Sequence, residues 1–562
     1  MPTVAAHVAA TLAAHVDHVF GLMGNGNAHL LDTLERDTDV TFTAVRHEAG
    51  AVVAADAFHR ACGELAVATA TYGAGFTNML TPLAEAVQAR TPMVVVVGDE
   101  PTSGARPWDV DQISVAAGVG ARTYTVARAD AAATTAIAVE HARAGRRPVV
   151  LAIPYDVGAL DAGPIPDLPP DRLPEPLAPT GPATEAALDL VAEELAAGQR
   201  PVLVAGRGAW LAGAGPALGR LAEVAGALTT STALARGVFP DARYDLGVAG
   251  GFGAPGAMDL VQQADVALVV GASLNQFTMR FGELFGPTTR VIQVDLAPTA
   301  THARVGTYIR GDAALVAEAL VQRLEGSVGR SAEPVQRQGP PWREAVDVGA
   351  ARAQEVGEDV APDGRLDPRR VAARIGELLP EDRVVVSDGG HFIGWANMYW
   401  PVAAPDRMIM VGTAYQAIGL GLPSVAGAAV ARPGSTIVLT TGDGGGLMAL
   451  ADLETAVRVA GGRGLAVVWN DAAYGAEVNL YGRQGMADGP MRIPEVDFAG
   501  LAHAVGAEGV VVRDLADLDR LAAWAATPAG QRRFLLLDVR ISADVVAPYQ
   551  QEIIRANRPA HD

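Results

Sequence analysis

The feature that most constrains the fold is a repeated alternation of short apolar runs with alanine-rich stretches of helical composition. Runs such as PMVVVVGD (92–99), RVIQVD (290–295) and LAVVWND (465–471) are rich in β-branched residues. Strands that are apolar on both faces are typical of parallel sheets covered by helices on either side. Strands that alternate with helices therefore predict doubly wound α/β domains with parallel sheets and right-handed crossovers.

Two proline-rich stretches divide the chain into three blocks. One, GPIPDLPPDRLPEPLAPTGP (163–182), holds eight prolines, and the other, SAEPVQRQGPPW (331–342), is shorter. Neither helices nor central strands tolerate that density of proline. A chain of 562 residues is long enough for about three or four domains. We predict three doubly wound α/β domains, at residues 1–162, 183–330 and 345–562.

Composition restricts the partners of this chain. Its net charge is −20, which argues against nucleic acid because phosphate backbones need basic patches. Small anions are not excluded, since backbone amides at helix N-termini can bind them. No apolar run reaches the roughly 20 residues that span a bilayer, and the N-terminus, without an early Lys or Arg, is typical of an amphipathic helix and not of a signal peptide. We expect a cytoplasmic protein with no nucleic-acid or membrane partner, and Cys62, the only cysteine, excludes an intrachain disulfide.

Two of the predicted strands end in polar residues. The first runs into Gly442-Asp443-Gly444 and the second into Asn470-Asp471. In open parallel sheets, ligands bind beyond the carboxyl ends of strands, so these residues are candidate ligand contacts. The alternative is that Asp443 only caps a helix and that Asn470-Asp471 only forms a turn.

A helix is predicted between these two strand ends, because four apolar residues recur there at helical spacing. They are Leu447, Leu450, Leu453 and Val457. The helix would begin at the glycines after Asp443, where free N–H groups and the helix dipole favour an anion such as phosphate. A carboxylate beside a phosphate is best explained by a hard divalent cation that bridges them, most simply Mg²⁺.

This stretch resembles the diphosphate-binding motif of thiamine diphosphate (ThDP) enzymes, in which Gly-Asp-Gly precedes a helix, a strand and Asn-Asn or Asn-Asp. The resemblance implies that Asp443, a residue at the second strand end and a backbone carbonyl two residues later hold Mg²⁺ on the diphosphate. Alignment on the Tyr-Gly pair that closes the motif makes Asp471 the second ligand and Ala473 the carbonyl donor. Counting from Asp443 selects Asn470 instead, although an anionic oxygen suits Mg²⁺ better than an amide.

A second signature lies nearer the N-terminus. TFTAVRHEAG (41–50) resembles the Arg-His-Glu stretch of the family, with Glu48 at the start of a helix after a short strand. The resemblance makes Glu48 a catalytic and cofactor-binding residue, because the family glutamate acts on the aminopyrimidine ring and promotes loss of the proton from the reactive carbon. In isolation, Glu48 would be interpreted as a surface carboxylate at a helix N-terminus. The next segment, ATYGAGFTNML (70–80), resembles the Gly-Pro-Gly loop of the family, with Ala74 in place of the proline.

Two further segments resemble cofactor-binding parts of the family. VGTAYQAIG (411–419) resembles the segment that bends the cofactor, which places Ile418 beneath its two rings and assigns the Gln416 carbonyl to the aminopyrimidine. SDGGHFIGW (387–395) resembles the loop that contacts the diphosphate. The remaining cofactor contacts implied by the resemblance are Gly390, His391, Gly442, Gly444, Gly445, Tyr474 and Gly475.

The resemblance covers essentially the whole chain, in the order found in acetolactate synthases, benzoylformate decarboxylase and benzaldehyde lyase. It implies that 1–162 binds the pyrimidine, that 183–330 is the central domain, and that 345–562 binds the diphosphate and Mg²⁺. It also implies a homodimer or homotetramer, because the family glutamate of one subunit meets the diphosphate domain of another.

Within the family, the sequence most resembles the acetolactate synthase-like branch, notably at NDAAYGAE (470–477). It implies decarboxylation of a 2-oxo acid and transfer of the acyl carbanion equivalent to an aldehyde or ketone. One departure lies in RPWDVDQIS (106–114), where Trp108 replaces a glutamine of acetolactate synthases. A decarboxylase or C–C lyase of the benzoylformate decarboxylase or benzaldehyde lyase type is therefore the alternative. A non-catalytic ThDP-binding relative and a sugar- or nucleotide-binding α/β protein are more distant alternatives.

Further candidate catalytic and substrate-contacting residues are predicted from their positions in these loops. Gln112 is a candidate catalytic residue, and Glu477 is a candidate proton donor or, alternatively, a solvated loop acid. Candidate substrate contacts are Asn25, Tyr72, Trp108 and Tyr481.

The middle block contains GGFGAPG (250–256), a literal G-x-G-x-x-G. Pro255 interrupts the pattern, and a dinucleotide fingerprint should follow a strand and open a helix. FAD or ADP in the central domain is therefore possible but unsupported by the sequence.

Overall fold

The computed structural model describes residues 1–167, 173–327 and 341–557. These residues form three six-stranded sheets, and every pairing between named strands is parallel. Helices pack on the sheets around buried apolar clusters. The predicted fold class is confirmed. No helix in the described part of the chain is long and apolar enough to span a bilayer.

The N-terminal sheet is built from the first six strands. They are β1 (His18–Gly21), β2 (Thr41–Ala44), β3 (Ala66–Ala70), β4 (Met93–Asp99), β5 (Arg122–Thr125) and β6 (Pro148–Pro154). The helices are α1 (Val4–Ala13), α2 (Ala28–Asp37), α3 (Glu48–Cys62), α4 (Ala74–Asn78), α5 (Leu80–Gln88), α6 (Gln112–Gly118) and α7 (Ala131–Gly145). The strand order is β2-β1-β3-β4-β6-β5, and β3, β4 and β6 are buried along their whole length.

The central sheet has a different order. Its strands are β7 (Pro201–Ala205), β8 (Leu228–Ser231), β9 (Asp245–Val248), β10 (Val266–Val270), β11 (Arg290–Asp295) and β12 (Val305–Arg310). Its helices are α8 (Pro182–Ala197), α9 (Arg207–Leu211), α10 (Gly215–Ala225), α11 (Pro255–Gln262) and α12 (Ala313–Ser327). The order β12-β11-β10-β7-β8-β9 is that of a dinucleotide-binding fold, whose switch point lies between β7 and β10.

The C-terminal sheet repeats the order of the N-terminal one. Two short helices, α13 (Trp342–Ala345) and α14 (Val348–Ala351), precede it. Its strands are β13 (Arg383–Ser387), β14 (Met408–Ile409), β15 (Thr436–Gly442), β16 (Gly464–Asn470), β17 (Glu508–Val512) and β18 (Leu535–Arg540), in the order β14-β13-β15-β16-β18-β17. Its helices are α15 (Pro368–Leu378), α16 (Ile393–Tyr399), α17 (Gly421–Ala431), α18 (Asp443–Met448), α19 (Asp452–Ala460), α20 (Gly475–Leu480), α21 (Phe498–Ala504), α22 (Asp519–Ala526) and α23 (Pro548–Ala556).

The N- and C-terminal domains pack together through α3 and α17. Val53 and Ala57 of α3 share a buried apolar cluster with Val425 of α17. The helices approach so closely that a Cβ on Gly427 would lie 1.9 Å from the carbonyl oxygen of Ala54. Glycine is therefore required at this crossing, and Glu48, at the start of α3, belongs to a helix fixed against the C-terminal domain.

Two local predictions need correction. The single helix predicted after Asp443 is two helices, α18 and α19, because the chain leaves helical geometry at Ala449 and restarts at Asp452. The restart lets the Asp452 carboxylate accept the backbone N–H of Arg46, at 3.1 Å, from the N-terminal domain. The helix predicted at the N-terminus ends at Ala13, and β1 follows it.

The proline-rich linkers are only partly described. The first has neither helix nor strand over 173–181, and α8 begins at Pro182. Most of the second, 331–340, lies outside the described residues. The domain boundaries at 1–162, 183–330 and 345–562 stay a prediction.

Candidate active site

The two predicted acidic strand ends meet at one edge of the C-terminal sheet. β15 and β16 are neighbours, so Asp443 and Asp471 follow adjacent strands directly, and each is 3% exposed. Asp443 Oδ1 accepts the Gly444 N–H at 2.8 Å. Asp443 Oδ2 and Asp471 Oδ1 are buried and have no hydrogen-bond partner among the described residues. Two buried carboxylates with free oxygens require a positive partner, because an uncompensated buried charge is costly.

The pKa of Asp443 also indicates that the two carboxylates lack a positive partner. Burial, and then the negative charge of Asp471, raise the pKa of Asp443 to about 7, against the smaller opposing influences of the Gly444 amide and His391. Two neighbouring carboxylates in a desolvated place disfavour full ionisation. A divalent cation bound between them would reverse that preference.

The donor set fits Mg²⁺ shared with a ligand. Among the described residues, no group of three or more His, Cys, Asp or Glu side chains could hold a metal. Asp443, Asp471 and the Ala473 carbonyl would therefore supply part of an oxygen shell and leave the remaining positions to diphosphate and water. Ala472, between Asp471 and Ala473, has a φ of +58°. A non-glycine residue in this left-handed region is uncommon, and such residues cluster at functional sites.

Asn470 faces a different set of partners. Its Nδ2 donates to Asp538 Oδ1 at 2.9 Å and to the Val496 carbonyl at 3.2 Å. Consecutive side chains of a strand point to opposite faces of the sheet. Asn470 Oδ1, like Asp471 Oδ1, is buried without a partner among the described residues, so only the contacts of Nδ2 favour Asp471 over Asn470 as the second metal ligand, and the assignment stays a prediction.

His391 lies against the metal-site residues. Its Nε2 is 2.9 Å from Asp471 Oδ2, and the Tyr549 hydroxyl donates to its carbonyl. Burial is the largest single influence and lowers the pKa of His391, but Asp471, Asp443 and Glu477 together raise that pKa above its usual value. A Cβ on Gly475 would lie 2.3 Å from the His391 ring, so glycine at 475 makes room for the imidazole.

The predicted glycines form a tight cradle around this edge. A Cβ on Gly442 would lie 2.8 Å from the Phe392 ring, and one on Gly444 would lie 2.7 Å from the Tyr474 ring. A Cβ on Gly445 would lie 2.6 Å from Asp388 Oδ2. Gly390 has a φ of +140°. The backbone at these positions is therefore packed too closely for any larger residue.

Asp388 is a functional residue that the sequence reasoning missed. It follows β13 and is buried, and burial raises its pKa. Its Oδ1 accepts the N–H groups of Gly389, Gly419 and Leu420 at 2.8, 3.0 and 3.1 Å. Asp388 thereby ties the segment with His391 to the segment that contains Ile418. The signal was present, because Asp388, like Asp443, is an acid at a strand end.

The segment predicted to bend the cofactor is a turn of unusual geometry. Gln416 has a φ of +58° and Gly412 a φ of +109°, and the Ala417 N–H donates to the Gly412 carbonyl at 2.9 Å. Ile418 remains 38% exposed. It faces a cavity of about 1160 Å³, whose lining also includes Gly389, Gly390, His391, Gln416 and Tyr549.

The same cavity extends to the central domain. Arg207 and Gly271, at the ends of β7 and β10, line it. Arg207 Nη2 is buried and has no partner among the described residues, and burial lowers the arginine pKa to about 10. The literal glycine pattern at 250–256 follows the edge strand β9 instead. It is therefore not at the switch point, and FAD in this domain stays unsupported.

Glu48 belongs to a separate half-site on the N-terminal domain. It is the first residue of α3, as predicted, and its Oε2 accepts the Asn78 Nδ2 at 3.0 Å. A Cβ on Gly75 would lie 3.5 Å from Glu48 Oε1. Ala74, which replaces the usual proline, begins the short helix α4. Within the described residues, no hydrogen bond or ion pair joins the Glu48 side chain to the C-terminal domain.

Three predicted substrate contacts come together at the same edge of the N-terminal sheet. Asn25 Nδ2 donates to the Tyr72 hydroxyl at 3.1 Å. The Arg106 guanidinium lies 4.2 Å from the Tyr72 ring centroid, 4.6 Å from that of Tyr155 and 5.6 Å from that of Trp108. Trp108 is 61% exposed. The sequence reasoning missed Arg106 and Tyr155, although both follow strands of this sheet.

Gln112 is held entirely by its own domain. Its Nε2 donates to the Gly98 carbonyl at 2.8 Å and to Asp99 Oδ1 at 3.1 Å. Its Oε1 accepts the Gly73 N–H at 2.8 Å. These bonds engage both donors and the acceptor, so they favour a role in positioning the Gly73 loop, and the predicted catalytic role remains without a supporting contact.

Glu477 and Tyr481 lie on the helix after the metal motif. Glu477 is exposed in the first turn of α20, and its charge contributes to the raised pKa of His391. Tyr481 is the exposed C-cap residue of that helix. The roles of both residues as a proton donor and a substrate contact stay predictions.

Three family models match the chain in succession. They are described as "Thiamine pyrophosphate enzyme, N-terminal TPP binding domain" (residues 2–115), "Thiamine pyrophosphate enzyme, central domain" (188–320) and "Thiamine pyrophosphate enzyme, C-terminal TPP binding domain" (388–539). The central match contains all six strands of its sheet, the N-terminal match contains β1 to β4, and the C-terminal match begins just after β13 and ends within β18.

Curated relatives agree with these family models. An acetolactate synthase large subunit of Parasynechococcus marenigrum is 30% identical over 91% of this chain and 84% of its own length. A sulfoacetaldehyde acetyltransferase of Castellaniella defragrans is 28% identical over 98% of this chain and 94% of its own. The acetolactate synthase isozyme 3 large subunit of Escherichia coli is 27% identical over 95% and 94%. The chain therefore belongs to the thiamine pyrophosphate-dependent enzymes and is acetolactate synthase-like within that family.

Proposed function

We propose that this protein is a cytoplasmic ThDP- and Mg²⁺-dependent carboligase. It decarboxylates a 2-oxo acid and transfers the acyl carbanion equivalent to an aldehyde or ketone acceptor. The observation that carries the proposal is the pair of buried, unpartnered oxygens on Asp443 and Asp471 at adjacent strand ends. The relatives named as acetolactate synthases and an acetyltransferase support the transfer of an acyl unit.

The residues of the C-terminal domain would hold the cofactor by its charged end. Asp443, Asp471 and the Ala473 carbonyl would bind Mg²⁺, and the amides of Gly444 and Gly445 would donate to phosphate oxygens at the start of α18. When bound, ThDP supplies a nucleophilic carbon and an electron sink for decarboxylation. The exposed side chain of Ile418 would support the apolar face of the rings and exclude water there.

Glu48 would hold the proton that activates the cofactor. Asn78 Nδ2 fixes Glu48 Oε2, which leaves the other carboxyl oxygen free to share a proton with the aminopyrimidine ring.

The complete site requires two subunits. The Glu48 half-site and the Asp443 half-site carry large exposed apolar side chains, including Met23 and Trp108 on the first, and Tyr415 and Met448 on the second. Apolar side chains of this size are typical of surfaces that become buried between subunits. A homodimer or homotetramer would place Glu48 of one subunit over the cofactor held by another.

A decarboxylase or C–C lyase is the second candidate. Trp108 lies where acetolactate synthases carry a glutamine, and the exposed carboxylate of Glu477 lies close enough to His391 to raise its pKa. An acid in that position could protonate the carbanion before a carbonyl acceptor traps it. The two reactions differ only in which electrophile arrives first.

Product analysis distinguishes these functions. The purified protein with ThDP and Mg²⁺ is incubated with pyruvate or a bulkier 2-oxo acid, with and without an added aldehyde, and CO₂, aldehyde and hydroxyketone are quantified. Carboligation predicts a chiral hydroxyketone or hydroxy-oxo acid as the main product. Aldehyde as the main product would support the decarboxylase, cleavage of an added hydroxyketone to aldehyde would support the C–C lyase, and ThDP binding with neither reaction would support a non-catalytic relative.

A further inference from the structure

A buried ionic cluster lies in the N-terminal domain, and its Arg60 lines the cavity that Ile418 faces. The Arg60 guanidinium pairs with Asp56 through Nε and Nη2, each at 2.8 Å. Its Nη2 also donates to Glu85 Oε1 at 2.9 Å. All three side chains are 5% exposed or less. Groups of this kind persist in a core only when each charge is paired.

The Thr91 hydroxyl donates to Asp56 Oδ1 within the N-terminal domain, and the cluster makes three further contacts across the domain boundary. Glu85 Oε2 accepts the backbone N–H of Tyr415 at 2.6 Å, and Glu85 Oε1 faces that of Ala414 at 3.4 Å. Arg60 Nη1 donates to the Met410 carbonyl at 2.6 Å. These three contacts, at residues 410, 414 and 415, hold one loop of the C-terminal domain.

That loop is the one predicted to receive the aminopyrimidine. It turns through Gln416, whose φ is +58°, and leads to Ile418. On the far side of this turn, Asp388 accepts the N–H groups of Gly419 and Leu420. The turn is therefore fixed on both sides by buried carboxylates, Glu85 from the N-terminal domain and Asp388 from the C-terminal domain.

We propose that Glu85 is a positioning residue for the cofactor, which sets the Gln416 carbonyl and Ile418 in their binding geometry through the amides of Ala414 and Tyr415. The inference rests on the proposed function, because it assigns the loop to ThDP. The charge of Glu85 is essential to this role, since a carboxylate accepts at both oxygens whereas an amide would direct an N–H group at one of the two donors. Arg60 compensates one of the two buried carboxylates, and the buried Arg207 contributes further positive charge to the cluster.

The test compares Glu85→Gln with wild type. Metal-free protein is titrated with ThDP in the presence of Mg²⁺ by calorimetry, and the melting temperature of the cofactor-free protein is recorded. We expect ThDP to bind about tenfold more weakly to the variant, which corresponds to about 1.4 kcal/mol, and the melting temperature to fall because a buried hydrogen-bonded carboxylate is lost. Glu35→Gln, at an exposed position of α2, is the matched control and should bind as wild type does.

A second measurement begins with the wild type, so part of its result does not require the variant to fold. Amide hydrogen exchange of the cofactor-free wild type should show the N–H of Tyr415 protected, because it donates to a buried carboxylate. In Glu85→Gln, exchange should increase over 410–418 but not over the strand 464–470. A general loss of stability would increase both.

Three outcomes decide the inference. Unchanged ThDP affinity in Glu85→Gln, or rapid exchange of the Tyr415 amide in the wild type, would overturn it. Weaker binding together with local loosening of 410–418 would support it. Failure of the wild type itself to bind ThDP would refute the proposed function instead, and the titration of the unaltered protein shows which of the two has failed.

Discussion

Replacement of Asp443 by asparagine should stabilise the metal-free protein and abolish cofactor uptake at the same time. In the metal-free chain, burial and the charge of Asp471 raise the pKa of Asp443 from 3.8 to about 7. This difference corresponds to about 4 kcal/mol, and Asp443 is almost fully buried, so solvent screens little of it. The asparagine keeps an oxygen for the Gly444 N–H and removes the charge.

The sign of the pH dependence follows from linkage. The folded state binds the Asp443 proton more tightly than the unfolded state does, so the cost is absent below pH 3.8, grows as pH rises, and is complete above about pH 7. The advantage of Asp443→Asn should therefore be about 4 kcal/mol at most at pH 8 and about 2 kcal/mol at pH 5. For a domain of roughly 200 residues, each kcal/mol raises the melting temperature by about 2–4 °C.

Calorimetry with a chelator present measures this directly. Melting temperatures of wild type and Asp443→Asn are compared at pH 5 and pH 8, and Asp488→Asn, which removes a surface charge, serves as the control. An equal or lower melting temperature for Asp443→Asn at pH 8 would contradict the view that the carboxylate pair is held against its own repulsion. Undiminished uptake of ThDP and Mg²⁺ by the variant would refute Asp443 as a metal ligand.

Three further predictions concern single residues. Glu48→Gln should fold and bind ThDP but lose most turnover. An equal mixture of Glu48→Gln and Asp443→Asn subunits should regain roughly a quarter of wild-type activity, because only mixed dimers contain a site with both residues intact. No recovery of activity would indicate that each site lies within one chain. Asp471→Ala should abolish Mg²⁺-dependent ThDP binding in a titration, whereas Asn470→Ala should retain it, and the reverse result would transfer the ligand role to Asn470. Burial lowers the pKa of His59 from 6.5 to about 4, so between these pH values only the unfolded state binds a proton at His59. The wild type should therefore lose up to about 3 kcal/mol of stability as pH falls through this window. Denaturation of His59→Gln at several pH values should show a smaller loss, and an identical loss would refute the lowered pKa of His59.

The buried parts of the fold were predictable because their residues are uniformly apolar. The run at 290–295 coincides with β11, and the runs at 92–99 and 465–471 match β4 and β16 to within one residue at each end. The edge strands β5 and β9 were not predicted, because they are short, half-buried and mixed in polarity. Their pairing depends on the neighbouring strand more than on their own composition.

The site was predictable where its residues are close in sequence. Asp443 and Asp471 each end a strand, and the motif that joins them is local. Contacts between distant segments could not be predicted in this way. Arg106 meets Tyr155 only because β4 and β6 are adjacent, and Glu85 meets Tyr415 only because two domains dock.

The central claim is that Mg²⁺ held by Asp443 and Asp471 clamps ThDP to the C-terminal domain. Isothermal titration of metal-stripped protein with ThDP tests it, with Mg²⁺ present in one experiment and a chelator in the other. The account predicts saturable binding near one ThDP per chain with Mg²⁺ and none with the chelator. Binding that is absent in both experiments, or equal in both, would contradict it.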